Sequence, residues 1–348
     1  MEGMLDFDDD ESEAQVGALK APMPFFGGKA PVAPLVWARL GNVGNYCEPF
    51  VGSAAMLLAR PHEPKVETVN DINGFIANLW RALQAAPDEV AHYVDRPVFE
   101  NDLHAIHYWL TTQGKEQVQC LEGDPDFFDA KIAGWWVWGM SVFIGSGFCS
   151  GDGPWQSVDG KLVKDSRQDG DGVRRKIPHL GDAGMGVNRS LPRIFRPEGI
   201  KRKSVTENEG IYAYFNALAA RFRNVRVCCG DWERICGLSP TTKLGLTGVF
   251  LDPPYADENR DTVYEMDDFN VAKRVEQWCR ERGDDPLIRI ALCGYEGNYD
   301  LPGWEVVPWK AQGGYSNLGN SRGKENRHRE VILFSPHCLK PDAQIPLF

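Results

Sequence analysis

The stretch Gly248-Val249-Phe250-Leu251-Asp252-Pro253-Pro254-Tyr255 decides the fold of this 348-residue chain. Its first four residues form an apolar run, which predicts a buried strand. The two prolines can neither pair in a sheet nor continue as a helix, so the strand must end near Asp252. The sequence therefore places an acid, two rigid carbonyl groups and an aromatic ring at the carboxyl end of a strand, where open α/β sheets bind ligands.

The residues of this corner suit transfer of a methyl group to the exocyclic amine of a base. The lone pair of such an amine is delocalised into the ring, so the amine needs acceptors for its two hydrogens. Asp252 and the Pro253 carbonyl are candidate acceptors, and Tyr255 offers a flat face for a base flipped out of a duplex. The catalytic candidates are Asp252, Pro253, Pro254 and Tyr255. A plain proline-rich turn after a strand is the alternative interpretation.

A nucleotide-cofactor cradle is predicted within residues 45–58. A short strand ends at Glu48, a turn that contains Phe50 and Gly52 follows, and an apolar helix opens at Ala54. A strand, a tight glycine turn and a helix N-terminus together form such a cradle. The chain lacks a Gly-x-Gly-x-x-Gly pattern at this point, which argues against a dinucleotide.

Two further strand ends carry candidate cofactor residues. The strand predicted in residues 66–73 ends in Asp71, which is placed to hydrogen-bond ribose hydroxyls. Its competing role is to cap the helix predicted for residues 74–85. Another strand ends before Asp231 and Trp232, where a cofactor's adenine would be read; a turn with a helix cap is the alternative.

The loop at residues 22–29 is rich in proline, glycine and aromatic residues, a composition typical of loops. Its glycines allow the backbone to approach a ligand closely. Phe25 can pack on a sulfonium-bearing ligand, and Lys29 can meet a carboxylate. The cofactor candidates in this loop are Phe25, Phe26, Gly27, Gly28 and Lys29.

Charge is distributed unevenly along the chain, whose formal net charge is −11. Residues 1–14 contain seven acids and no Lys or Arg, so residues 1–20 are predicted to be a disordered acidic tail and not a targeting signal. Residues 161–203 contain twelve Lys or Arg against five Asp or Glu, which is typical of a local DNA-contacting surface. An ordinary solvated loop is the alternative. A second basic, glycine-rich loop, residues 310–329, is also a candidate for contact with the DNA backbone.

The predicted domain organisation has an insertion. Residues 21–90 and 208–338 form the catalytic domain, residues 91–207 form an inserted target-recognition domain, and residues 339–348 form a tail. Within the insertion, residues 127–143 are apolar and tryptophan-rich, which favours a core helix over a base-stacking platform. The glycine- and charge-rich residues after it predict a hairpin and loop that contact DNA.

Composition sets further limits. The chain contains no run of 18 apolar residues, so no membrane span is predicted. Its nine cysteines show no Cys-x-x-Cys spacing, which favours buried free thiols in a reducing cytoplasm over disulfides or a metal site.

The final residues, Gln344-Ile345-Pro346-Leu347-Phe348, resemble the peptide by which bacterial and phage proteins bind the replicative sliding clamp. A terminal segment packed on the domain is the alternative.

In their order, these motifs resemble the DNA adenine-N6 methyltransferases of the Dam-like, D12 class. The motifs occupy residues 26–29 (Phe-Gly-Gly-Lys), 48–52 (Glu-Pro-Phe-Val-Gly), 70–73 (Asn-Asp-Ile-Asn) and 252–255 (Asp-Pro-Pro-Tyr). The resemblance covers about residues 22–90 and 208–335. It implies an α/β fold with a Rossmann-like, S-adenosylmethionine-dependent methyltransferase sheet and an inserted, mainly helical plus hairpin and loop domain that recognises double-stranded DNA.

The resemblance also implies roles for individual residues. Phe25 and Lys29 would contact S-adenosylmethionine, Asp71 would hold its ribose, and Asp252 would also approach its methionine end. The chain has Phe25 where the family often has Trp, and Ser53 where it often has Gly. The insertion, residues 91–207, is longer than in compact members of the family, which leaves the recognised DNA sequence open.

Three alternatives to adenine-N6 methylation are retained. N4-cytosine methylation uses the same amine chemistry and a related acid-Pro-Pro-aromatic motif. A DNA-binding or clamp-associated module without catalysis is a second alternative, and a methyltransferase acting on RNA or protein is a third. The sequence does not distinguish a solitary bacterial or phage methylase from one partnered with a restriction enzyme.

Overall fold

The computed structural model describes residues 19–23, 28–124, 126–143, 148–149, 155–158, 161–164, 207–254, 269–309 and 330–340. The strands are β1 (Asn45–Glu48), β2 (Val66–Asp71), β3 (Trp155–Val158), β4 (Lys161–Lys164), β5 (Val225–Cys229), β6 (Thr247–Leu251), β7 (Ile288–Tyr295), β8 (Glu305–Pro308) and β9 (Glu330–Phe334). The α-helices are α1 (Ala33–Leu40), α2 (Ala55–Leu58), α3 (Gly74–Ala85), α4 (Pro87–Val94), α5 (Glu100–Trp109), α6 (Lys115–Val118), α7 (Ala130–Val142), α8 (Glu207–Phe222) and α9 (Phe269–Arg282). A π-helical turn covers Leu110–Gly114, and short 3-10 turns cover Ala30–Val32, Gln119–Glu122, Trp232–Ile235 and Thr242–Leu244.

Seven strands form one sheet in the order β5-β2-β1-β6-β7-β9-β8. The first five are parallel to one another, whereas β9 is antiparallel to both β7 and β8. The chain builds outward from β1 on one side through β2 and β5, then crosses to build the other side through β6 and β7. The prediction of a mixed α/β fold with a mainly parallel sheet is confirmed, and the strand order reverses between β1 and β6.

The central strand β6 forms for the reason that its sequence indicates. All five of its residues are buried, and it ends at Leu251, directly before Asp252 and the two prolines. The closing strands β8 and β9 form an antiparallel pair. Because β9 runs opposite to the parallel strands, it begins at the edge of the sheet where those strands end.

Helix α3 begins with a different cap from the one considered for Asp71. Asn73 is the N-cap residue, and its side chain accepts a hydrogen bond from the Phe75 backbone nitrogen. Capping by Asp71 is therefore wrong: the Asp71 carboxylate lies two residues too early and instead accepts from the backbone nitrogens of Gly52 and Asn73.

The apolar core extends without a break from the sheet into the range predicted as an insertion. Helix α4 packs on α7 and α8, and α3 packs on the same two helices. In α7, Trp136 and Trp138 are fully buried, which confirms the interpretation of this segment as a core helix. The assignment of residues 91–207 to a separate recognition domain stays a prediction.

Two other features of the described chain bear on the predictions. Strands β3 and β4 form a two-stranded antiparallel hairpin, as expected for the start of the basic segment. All nine cysteines are free. Six are buried, and Cys228 and Cys229 are half-buried. Cys120 is exposed, so the prediction of a buried thiol is wrong at this position. In the ranges given above, no helix combines the length and the apolar character needed to cross a membrane.

Candidate active site

Three predicted site residues lie at the ends of adjacent parallel strands. Glu48 is the last residue of β1, Asp71 is the last residue of β2, and Asp252 directly follows β6. Since β2, β1 and β6 are neighbours in the sheet, their carboxyl ends meet at one edge. This edge includes the point between β1 and β6 where the strand order reverses, which is the usual ligand crevice of an open α/β sheet.

Lys29 forms an ion pair with Asp252 at this edge. Its Nζ lies 2.9 Å from Oδ2 of Asp252, and the two side chains are 5% and 22% exposed. Burial lowers the pKa of Lys29, but the charge of Asp252 and its hydrogen bond, together with other nearby acids, raise it above its ordinary value overall. Lys29 therefore stays protonated. The ion pair thus connects a residue of the first motif along the chain (residues 26–29) with a residue of the last (residues 252–255).

Glu48 is buried beside the ion pair. The hydroxyl of Tyr46 donates a hydrogen bond of 3.0 Å to its Oε2. Burial raises the pKa of Glu48 to about 8; the Tyr46 hydrogen bond opposes this shift and the charge of Asp252 adds to it. Near neutral pH, Glu48 therefore holds its proton in most molecules and adds little negative charge to the site.

A tight turn links the end of β1 to the end of β2. Gly52 adopts φ +45°, in the left-handed region that favours glycine, and Ala54 follows at φ +56°. The Gly52 nitrogen donates to Oδ2 of Asp71 at 3.0 Å, and the Asn73 nitrogen donates to Oδ1 at 2.9 Å. Burial raises the pKa of Asp71 to about 6, against the effect of these hydrogen bonds. Each carboxylate oxygen has a second lone pair that can accept from a ribose hydroxyl.

Asp231 and Trp232 follow β5 and make protein contacts. Asp231 caps the 3-10 turn by accepting from the Glu233 nitrogen at 2.9 Å, and it also pairs with Arg274 at 3.0 Å. Trp232 is 3% exposed and packs near Phe50, with their ring centroids 6.0 Å apart. The capping alternative is therefore present in the structure, and a cofactor role for either residue stays a prediction.

Several predicted residues lie outside the described part of the chain. They are Phe25, Phe26, Gly27, Tyr255, most of residues 161–203, all of residues 310–329 and the terminal residues 344–348. Gly28, Pro253 and Pro254 are described and lie next to the Lys29–Asp252 pair in sequence. Among the described residues, no group of three or more His, Cys, Asp or Glu side chains is arranged to hold a metal ion.

Glu330, which was not predicted from the sequence, begins β9 at the same edge. It pairs in register with Tyr295 at the end of β7, and its backbone oxygen accepts from the Trp309 nitrogen. Its Oε2 is buried, without a hydrogen-bond partner in the described chain. Burial raises its pKa, Lys29 opposes the shift and Asp252 adds to it. An acid at the head of an apolar strand was the available signal.

One comparison with known proteins found a match, in the amino-terminal part of the chain. A family model described as D12 class N6 adenine-specific DNA methyltransferase matches residues 25–124. The matched range contains Lys29, Glu48 and Asp71, and the resemblance inferred from the motifs is confirmed. No curated protein matches the chain.

Proposed function

We propose that this protein transfers a methyl group from S-adenosylmethionine to N6 of an adenine that is turned out of double-stranded DNA. The family match supports DNA adenine methylation. The observation that carries the rest is the contact between Lys29 and Asp252, because it unites the matched amino-terminal part with the Asp-Pro-Pro sequence at the reversal point of the sheet.

The charge of the site fits S-adenosylmethionine, whose sulfonium and ammonium groups outnumber its one carboxylate. The carboxyl groups of Asp71, Asp252 and Glu330 lie along the edge formed by the ends of β2 and β6 and the start of β9, beside the largely protonated Glu48. Lys29 is buried next to Asp252 and Glu330. The buried Oε2 of Glu330 offers an acceptor that no described residue uses. A ligand with a net positive charge therefore suits this edge. When bound, the cofactor supplies an activated methyl group.

Residues on both sides of the crevice would hold the cofactor. We assign its ribose to Asp71, where the Gly52 and Asn73 nitrogens fix the carboxylate. We assign its methionine end to Phe25 and Lys29, as the resemblance implies. Its adenine would lie against the turn that contains Asp231 and Trp232.

The chemistry asked of the protein is to orient the amine and accept its hydrogens. Asp252 accepts one N–H, and the carbonyl of Pro253 accepts the other, so the nitrogen lone pair is released from the ring toward the methyl donor. Lys29 holds Oδ2 of Asp252 and thereby limits the orientations of the carboxylate. Tyr255 would stack on the base. Once the methyl group is on nitrogen, the surplus proton leaves to solvent, directly or through Asp252.

Transfer of tritium from labelled S-adenosylmethionine to DNA tests the proposal. We expect label on adenine after digestion and chromatography, and Asp252→Ala should lower the rate by about 10²–10³-fold because an aimed acceptor is lost. Asp300→Ala, which removes an exposed acid paired with Arg280, serves as the matched control and should keep the rate. Label on cytosine would favour N4-cytosine methylation, and unchanged transfer by Asp252→Ala would refute the assigned site.

The nine free cysteines support a reducing compartment. Burial raises the pKa of the Cys47 thiol to about 12, so this group is an unreactive thiol and not a thiolate. Together with the proposed substrate, this favours the cytoplasm of a bacterium or of a phage-infected cell. We also retain the basic residues 161–203 and 310–329 as the proposed DNA-contacting surface.

The carboxyl-terminal peptide remains a proposed sliding-clamp ligand. The backbone nitrogen of Leu339 donates to the Arg39 oxygen at 2.8 Å, and the Arg39 guanidinium donates to the Leu339 oxygen at 3.1 Å. The described chain is thus fixed to α1 just before the peptide, at the edge of the sheet opposite the acids. Truncation after Lys340 should abolish clamp binding while methylation of a short duplex is kept; clamp binding by the truncated protein would refute the assignment.

A further inference from the structure

Asn70 links two loops that border the proposed cofactor crevice. It is the residue before Asp71 in β2, the strand between β1 and β5, and it is 1% exposed. Its Nδ2 donates to the oxygen of Pro49 at 3.1 Å and to the oxygen of Gly230 at 2.9 Å. Pro49 follows β1 and Gly230 follows β5, so one amide group ties together the loops after two strands that do not touch each other.

The chemistry of the partners fixes the orientation of the amide. Both are backbone carbonyls, which only accept hydrogen bonds, so the nitrogen must face them and both of its hydrogens are used. The Oδ1 atom then points away from the two carbonyls; it is buried, and no described residue hydrogen-bonds to it. A side chain with one donor, or with none, cannot reproduce this bridge.

The backbone of the same two residues strengthens the connection. The Val51 nitrogen donates to the Asn70 oxygen at 2.9 Å, and the Gly230 nitrogen donates to the Asp71 oxygen at 3.1 Å. These bonds hold each loop separately against β2. The Asn70 amide contacts both loops at once, and it therefore sets the distance between them.

We propose that Asn70 is a positioning residue for S-adenosylmethionine, which it serves by fixing the separation of the Pro49 and Gly230 loops. This inference rests on the proposed function. The first loop continues into Gly52, which orients the ribose candidate Asp71, and the second continues into Asp231 and Trp232. Because the two halves of an adenosine would span these loops, their spacing governs cofactor affinity. Asp252 follows β6, on the other side of β1, so the step at the amine is not under the control of Asn70.

The test compares Asn70→Ala with Asn78→Ala. Asn78 is a matched control because it is also fully buried and also bridges two elements: its Nδ2 donates to the Asp129 oxygen at 2.9 Å, and its Oδ1 accepts from the Asp129 nitrogen at 2.8 Å. It joins α3 to the start of α7 and not the two loops. Both variants should lower the thermal midpoint.

Calorimetric titration with S-adenosylmethionine separates the two variants. We expect Kd to rise about tenfold for Asn70→Ala, equivalent to about 1.4 kcal/mol, and to stay near the wild-type value for Asn78→Ala. At saturating cofactor, kcat should be kept by Asn70→Ala, which gives a change in KM without a change in kcat. Asn70→Ser keeps one short donor, so its Kd should lie between those of the wild type and Asn70→Ala. If Asn70→Ala does not fold, Asn70→Ser is measured in its place.

Hydrogen exchange supplies a second measurement. In the wild type, the cofactor should protect residues 49–52 and 230–232 together, whereas in Asn70→Ser the two segments should differ in protection. An unchanged Kd for a folded Asn70 variant would overturn the inference, as would equal losses of affinity in the Asn70 and Asn78 variants. Failure of the wild type to bind S-adenosylmethionine would instead refute the proposed function.

Discussion

The two edges of the sheet use the same kinds of charged residue in different ways. At the amino edge, Glu67 near the start of β2 lies between two guanidinium groups: Arg60 Nη1 is 3.0 Å from Oε1, and Arg221 Nη1 is 2.6 Å from Oε2. Each arginine also donates to a backbone oxygen, that of Val43 or of Leu57. We call this cluster closed because both Glu67 oxygens and the terminal nitrogens of both arginines have partners within the protein; the buried Nε of Arg60 has none among the described residues.

Among the described residues of the carboxyl edge, the carboxyl groups outnumber Lys29. Lys29 pairs with Asp252, while Glu48 is kept largely protonated near neutral pH and Glu330 has a buried oxygen without a partner in the described chain. Burial of charge is costly unless it is matched. The closed cluster around Glu67 therefore serves stability, whereas the incompletely matched carboxyl groups near Lys29 suit a cationic ligand.

The largest effect is expected from breaking the amino-edge cluster. Glu67→Met removes the one acid between two arginines, of which Arg60 is fully buried, so the variant should lose about 3–5 kcal/mol of unfolding free energy. Urea denaturation measures the loss, and Glu281→Met at an exposed position is the control. The Kd for S-adenosylmethionine should be kept by the folded variant; if it rises strongly, the division between a structural edge and a ligand edge is incorrect.

Breaking the carboxyl-edge pair should affect activity more than stability. Lys29→Met removes the cation that holds Asp252, and we expect kcat/KM for methyl transfer to fall about 10²-fold, or about 2.7 kcal/mol. Its thermal midpoint should change less than that of Glu67→Met, because Asp252 is partly exposed and can be hydrated. Lys243→Met provides an exposed-lysine control. Wild-type activity in the Lys29 variant would show that the ion pair has no role in the reaction.

The smallest expected effect is on the pH dependence of the unfolding free energy. It tests whether Glu48 is protonated at the carboxyl edge. The folded protein raises the pKa of Glu48 from its ordinary value of 4.5 to about 8, so it binds this proton more tightly than the unfolded chain does. Its contribution therefore lowers stability as pH rises through this window, with a slope of about 1.4 kcal/mol per pH unit. Glu48→Gln should flatten the slope of unfolding free energy against pH between about pH 6.5 and about pH 7.5.

Asp71 also lowers the unfolding free energy as pH rises, but at lower pH. Its raised pKa remains in the Glu48→Gln variant. Burial raises the pKa of Asp71 from 3.8 to about 6, so most of its contribution should lie below the window used for Glu48. Denaturant titrations at two pH values suffice to compare the wild type with Glu48→Gln. Equal slopes for the two proteins would mean that Glu48 does not hold its proton in the folded state.

Elements with a strong local signal were predictable from the chain. Helix α3 spans Gly74–Ala85, the range predicted for it, and β6 ends at Leu251, one residue before the two prolines. The acids Glu48, Asp71 and Asp252 were placed at strand ends because each follows a short segment predicted as a strand, and parallel strands bring such ends to one edge. In these cases the signal is the residue itself and its immediate neighbours.

Other features depend on contacts between distant parts of the chain. The capping role considered for Asp71 was wrong because Asn73 lies closer to the first turn of α3 and takes it. The bridge made by Asn70 was missed because the chemical role in its motif was assigned to Asp71, and the position of Glu330 was missed because this residue stands in no motif. Their meaning arises only when β2 lies beside β5 and when β9 closes the sheet.

By itself the sequence determined the class of fold, the order of the motifs and the three strand-end acids. These features depend on the spacing of apolar residues and on prolines and glycines, whose effects extend over only a few residues. Only the tertiary structure decided that Lys29 meets Asp252, that Glu67 is held between two arginines and that Asn70 ties two loops together. The physical reason is that ion pairs and buried hydrogen bonds depend on distance in space and on exclusion of water, and both are set by packing of the whole sheet.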